Sequence, residues 1–312
     1  MRSHTIRKAF TMIELLFVIV VLGIVGGIAL EAIRQYYEGI YRTQEYSKRV
    51  AEADHILEQL SKYFENAISS SIVNLNIDPA VQACYGPPQE NPSDFTVAFI
   101  GVDVDSLRGI SGSRPGWSEE TQLLTGNVLN MSDANLSIAD TIIGALYPSS
   151  SLGGSAIYDA DSLDANACAR FNYKVGEGKA GYHRISSVAY PNQITLNAEN
   201  NATDGHRKYL LRTGYAFRVD DNGSFWMYSN FRPWDNGYGY FSGADKVNLL
   251  GQNVAHFYAD YNATDFMNNP GVSDRGLVWR LKVCMRGLDA NLSTSDDETQ
   301  TICRERRVYV RY

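Results

Sequence analysis

Two hydrophobic patterns divide the chain. From Leu15 to Leu30 all 16 positions are apolar or glycine, and the stretch 10–33 is long enough to cross a bilayer as one helix, which takes about 20 residues at 1.5 Å each. Apolar residues then recur in steps of three and four, at Ile33, Tyr36, Tyr37, Ile40 and Tyr41 and again at Ala53, Ile56, Leu57, Leu60, Tyr63, Phe64, Ala67 and Ile68. Charged residues such as Arg42, Glu45, Lys48, Arg49 and Glu52 fill the other positions. This periodicity predicts an amphipathic continuation of the same helix, ended by Ser69, Ser70 and Ser71. One long helix over 10–70 is therefore expected, with 10–33 as its transmembrane half.

The remainder, 71–312, reads as one globular head. Residues 72–165 are loop-like, with Pro79, Pro87, Pro88, Pro92 and Pro115 and short apolar runs such as Phe95–Ile100. From about 180 the pattern turns to strands. Tyr209–Val219 and Ser224–Tyr228 flank Asp220-Asp221-Asn222-Gly223, and an Asn-Gly between β-rich runs predicts a hairpin. Further strands are expected at Val254–Tyr261, Leu277–Met285 and Thr301–Tyr312. The fold class is α+β, with the long N-terminal helix packed on an antiparallel sheet.

Composition sets bounds on partners. The formal charge is −7, and losing Arg2, Arg7 and Lys8 with a leader would take it to −10, so an acidic body argues against nucleic acid as a partner. Four cysteines, Cys84, Cys168, Cys284 and Cys303, include no C-x-x-C pair. An even number in an exported chain predicts disulfides rather than zinc. Cys284 and Cys303 fall on neighbouring predicted strands, which makes a bridge sterically plausible; Cys84 and Cys168 then pair by elimination.

The start of the chain carries the most specific chemistry. Arg7 and Lys8 precede the apolar run and keep the leader cytoplasmic. An ordinary secretory signal places small residues after its apolar run; here the small residue, Ala9, comes before it. Glu14 lies inside the apolar span, where a carboxylate costs about 2.5–3.5 kcal/mol at a helix centre and marks function. It is the fifth residue of a chain starting at Phe10, whose free amine would be its counter-ion. The segment Lys8-Ala9-Phe10-Thr11-Met12-Ile13-Glu14-Leu15 closely resembles the prepilin cleavage motif of type IV pilins and type II secretion pseudopilins. Ala9 departs from the Gly usual in that family before the cut.

The resemblance implies a leader 1–9, cleavage between Ala9 and Phe10, N-methylation of Phe10 and an assembly role for Glu14. It implies a bacterial inner-membrane protein with one span and a periplasmic head, later moved into a pilus or pseudopilus. The implied partners are a prepilin peptidase, other pilin or pseudopilin subunits, an inner-membrane assembly platform and, before assembly, membrane lipid. A looser likeness in the last third, through Tyr215-Ala216-Phe217-Arg218, Gly223-Ser224-Phe225-Trp226 and Leu249-Leu250-Gly251-Gln252-Asn253-Val254, points to W-type minor pilins and J-type minor pseudopilins. Such a subunit helps to initiate or cap a filament. The alternative is an adhesin or DNA-uptake receptor on the same scaffold.

No catalytic signature appears: there is no H-E-x-x-H, G-x-S-x-G or P-loop. No enzyme activity, cofactor or metal is expected, and Asp159, Asp161 and Asp164 lack the glycine and terminal Glu of a calcium loop. The aromatic block Phe225, Trp226, Tyr228, Phe231, Trp234, Tyr238, Tyr240 and Phe241 suits either alternating strand burial or a binding surface. The basic end, Arg304 to Tyr312, suits a charged edge strand. Five N-x-S/T sequons, at Asn135, Asn201, Asn222, Asn262 and Asn291, carry an acid two places earlier and are candidate glycosylation sites; a sixth, Asn130, lacks it.

Overall fold

Helix α1 spans Met12–Phe64 without a break. The computed structural model describes residues 11–76, 84–85, 95–124, 127–147, 150–159, 182–197, 207–236, 246–261, 277–287 and 301–311. The chain divides into two compact bodies, Met1–Arg49 and Val50–Tyr312. The boundary falls inside α1, so the last turns of the helix belong to the head. In the first body α1 carries exposed apolar residues on every side, from Met12 to Ile33.

The strands of the head follow in order: β1 (Val73–Asn76), β2 (Cys84–Tyr85), β3 (Phe95–Val102), β4 (Ile110–Ser111), β5 (Arg114–Pro115), β6 (Gln122–Leu123), β7 (Val128–Asn130), β8 (Ala156–Asp159), β9 (Tyr182–Ala189), β10 (Gln193–Leu196), β11 (Lys208–Val219), β12 (Phe225–Phe231), β13 (Lys246–Gly251), β14 (Val254–Tyr261), β15 (Leu277–Arg286) and β16 (Thr301–Val310). Three short helices, α2 (Val104–Arg108), α3 (Leu136–Leu146) and α4 (Pro233–Asn236), lie among them. Every strand pair is antiparallel among the described residues. The large sheet runs β2-β1-β3-β11-β8-β9-β10-β7-β6, with β12 and β13 branching from β11; β14-β15-β16 forms a second sheet.

The buried stripe of α1 in the head is Ala53, Ile56, Leu57, Leu60 and Phe64, spaced by three, one, three and four. That spacing places all five on one face. They share a core with Val97 and Phe99 of β3, Tyr215 and Phe217 of β11, and Trp279, Leu281 and Val283 of β15. The Phe64 ring sits 4.6 Å from Phe99, edge-on, and 6.0 Å from Phe217. On the opposite face of the large sheet, Ala98, Ile100, Leu211 and Ala216 join a second core with Trp234. Burial on both faces explains why β3 reads as a near-continuous apolar run.

The helical pattern read to residue 70 ends at Phe64. Ile68 donates its N–H to Ile100 O at 2.9 Å, and Ala67 bridges to Gly101 in extended pairing. Ala67 and Ile68 are therefore buried by the sheet and not by helix periodicity. The larger difference lies in 72–165, where a third core holds Trp117, Leu129, Met131, Leu136, Ala139 and Ile143 together with Ile157, Ile194 and Leu210. Apart from β3, the described strands between residues 72 and 165 have two to four residues each, too short to show an alternating pattern. A Cβ at Gly116 would lie 2.8 Å from Ser106 O and 2.9 Å from Ala139 N, so only glycine lets α3 approach there.

The predicted hairpin is present between β11 and β12. Gly223 has φ +80° and donates to Asp220 O at 2.9 Å. Asp220 closes the turn from its side chain: Oδ1 accepts from Ser224 N at 2.7 Å and Oδ2 from Trp226 Nε1 at 3.0 Å. Burial acts to raise this carboxyl, but the donors from Trp226, Ser224 and Asn222 prevail and hold it below its usual range. The bridge between Cys284 and Cys303 is formed, and the two residues face each other across β15 and β16.

Candidate functional site

The apolar helix is the candidate site, and Glu14 is its one charged residue before Glu31. Thr11 stands just before the first helical residue, and its backbone N–H and Oγ1 both donate to Glu14 Oε2, at 3.0 and 2.9 Å. Thr-x-x-Glu is the spacing of a capping box, in which the acid reaches back to a backbone donor that the helix leaves unpaired. The sequence Thr11-Met12-Ile13-Glu14 carried that signal, and the reading of Glu14 as a counter-ion alone missed it. Glu14 Oε1 makes no hydrogen bond among the described residues, which leaves one carboxylate oxygen for a further donor. Ala9 and Phe10 lie outside the described residues, and so does any pairing of Glu14 with the Phe10 amine.

The helix has the dimensions for a membrane. It is long and apolar enough to cross one, and its most apolar window is wholly unburied within the molecule. A soluble core helix of that composition would be covered. Exposure of residues such as Leu16, Phe17, Leu22 and Ile28 costs free energy in water at about 25 cal/mol per Å², which is consistent with membrane anchoring.

The other candidates resolve into structure where they are described. Along β12 the aromatic block alternates: Phe225, Met227 and Phe231 are buried, while Trp226 and Tyr228 are half-buried. Trp234 is buried with its Nε1–H donating to Gly154 O at 3.1 Å. Tyr238, Tyr240 and Phe241 lie outside the described residues. The basic end forms β16, an outer strand of its sheet with Cys303 to Arg307 exposed, and Arg304 Nε donates to Asp54 of α1 at 3.0 Å. Charge on an open edge discourages pairing with other chains.

Among the sequons, Asn222 is exposed at the hairpin tip, and the acid two places before it is the Asp220 that holds the turn. Asn135 caps α3, its Oδ1 accepting from Ser137 N at 3.2 Å and Oγ at 2.7 Å. Asn130 is half-buried on β7. Asn201, Asn262 and Asn291 lie outside the described residues, as do Cys168, Asp161 and Asp164; Cys84 is placed on β2. No group of three metal-binding side chains occurs among the described residues.

The buried charges are paired. Lys208 Nζ meets Asp159 Oδ2 at 2.9 Å, and Arg212 Nη1 meets Asp103 Oδ1 at 3.0 Å. Burial pushes the Asp103 carboxyl up, against the pull of Arg212 and Ser106. Burial also opposes the charge on Arg212, yet Asp103, Tyr215 and Tyr147 outweigh it and hold the guanidinium more firmly protonated. A guanidinium does not lose its proton where carboxyls titrate, so Arg212 stays charged beside Asp103. Such pairs fix local geometry. No family model, curated protein or solved structure matches the chain.

Proposed function

We propose that the chain is a minor pilin or pseudopilin, a structural subunit that helps to initiate or cap a type IV pilus or a type II secretion pseudopilus. It is anchored in the bacterial inner membrane by α1, with its head in the periplasm, until an assembly platform moves it into the filament. The observation that carries this reading is the exposed apolar helix with a single acid near its start, capped by Thr11 and with one oxygen to spare. In an apolar bundle that oxygen takes the Phe10 amine, of its own chain or a neighbour's, and the pair sets register more than net stability. The reading also rests on the resemblance of 8–15 to the prepilin motif. Its work is assembly, with no chemical step of its own.

The test is the mature N-terminus. Protein recovered from filaments should begin at Phe10, and Ala9→Leu should accumulate uncut, because the site accepts a small residue there. Intact Met1 in assembled protein refutes the reading.

A further inference from the structure

We infer that Arg34, Tyr36 and Tyr37 form a collar that seats in the lipid headgroup layer and fixes the depth of α1, which in turn places Glu14 at the opposite face of the membrane. The inference rests on the reading of α1 as a membrane span and adds where that span stops. From Glu14 to Arg34 is 20 residues of unbroken helix, about 30 Å at 1.5 Å per residue. That is the thickness of a hydrocarbon core, about 30 Å, which a headgroup layer of a few ångströms flanks on each side. Tyr36 and Tyr37 then lie about 3–5 Å past the hydrocarbon edge, inside that layer, whereas Tyr41 and Tyr46 lie beyond it.

The chemistry of the segment suits that depth. Tyr36 is 68% exposed and Tyr37 55%, and their rings meet each other edge-on at 6.1 Å. Tyrosine has an apolar ring and a polar tip, which is why it gathers where lipid meets water. The charges at the same level are paired: Arg34 meets Glu31 at 3.1 Å and Glu38 at 3.8 Å. A carboxylate near the hydrocarbon edge is much less costly when an Arg on the next turn covers it, and the long Arg stem keeps its head in the polar layer. At the other end the same ruler puts Glu14 at the edge of the hydrocarbon, not at its centre, where the capping Thr11 and water share it. The acid then waits at the membrane face without the full cost of burial.

The test uses the full processed chain in phosphatidylethanolamine and phosphatidylglycerol vesicles, with spin labels at Leu22→Cys, Gln35→Cys or Ser47→Cys and depth read from oxygen and nickel-chelate accessibility. The expected result is Leu22 deep, Gln35 at headgroup level and Ser47 in water. Tyr36→Ala with Tyr37→Ala should shift the Gln35 label by more than about 3 Å, two residues of rise, and Trp at both positions should restore it. Gln35 as water-accessible as Ser47, or an unchanged depth in the double alanine variant, overturns the collar while leaving the span. Leu22 in water overturns the collar and the membrane reading together. The measurement is made before assembly, so a defect in filament incorporation has no bearing on it.

Discussion

A head expressed from residue 65 onward should not fold, and one expressed from Val50 should. The shorter chain loses Ala53, Ile56, Leu57, Leu60 and Phe64, each 2% exposed or less. Burying one large aliphatic or aromatic side chain contributes about 1.5–3 kcal/mol, so the four larger residues together contribute about 6–12 kcal/mol. Whole domains are stable by only about 5–15 kcal/mol. Their removal also uncovers the faces of Phe99, Phe217 and Trp279 that α1 protects. Near-ultraviolet circular dichroism and thermal unfolding of 50–312 and 65–312 provide the assay. The longer chain should give fixed aromatic signals and one cooperative transition; the shorter should lose the former and aggregate. A milder form is Phe64→Ala in 50–312, worth about 3–5 kcal/mol and, for a domain of this size, a fall in Tm of about 6–20 °C. A 65–312 chain that melts within a few degrees of 50–312 refutes the assignment of those turns to the core.

The cap that Glu14 forms with Thr11 can be separated from its proposed part in assembly. Glu14→Gln keeps a side chain that still caps a helix but loses the charge, whereas Glu14→Leu loses both. Both should insert in the membrane and both should fail to enter filaments in a pull-down of assembled subunits; normal incorporation of the Gln variant assigns the residue to capping alone. The Asp220 carboxyl, held below its ordinary range in the fold, contributes stability that is present above the unfolded value of about 3.9 and is lost as pH falls through the folded one. Trp226 fluorescence during acid unfolding should follow it, and Asp220→Asn should flatten that acid limb; an unaltered limb excludes the carboxylate.

What was legible in the sequence depended on segment length. The strands Val254–Tyr261 and Leu277–Arg286 lie within a residue of the runs read from the chain, because eight or more positions with a buried face show their period. The hairpin was readable from Asn222-Gly223, since a turn that needs φ > 0 favours those residues. The third core was not readable. Trp117, Met131 and Leu152 each stand alone among polar neighbours, and only the folded chain brings them together. The Asn135 cap before Leu136, Ala139 and Ile143 was a usable helix signal that the surrounding Ser and Pro obscured. Glu14 is the acid of a Thr-x-x-Glu cap, a signal that stands in the sequence at Thr11, three residues earlier.

The helix that ends inside the head has a mechanical side as well. A continuous backbone from Met12 to Phe64 carries tension along its axis to whatever grips its far end. The grip here is a set of interdigitated side chains and not a single ladder of backbone bonds, so a pull must shear many contacts together instead of unzipping them one at a time. Asp54 is also fastened to Arg304, and β16 is stitched to β15 by the bond between Cys284 and Cys303. Force entering by that route reaches a covalent cross-link before it reaches the chain's last residues. Tension on the helix is thereby spread over the core and the cross-linked strands together.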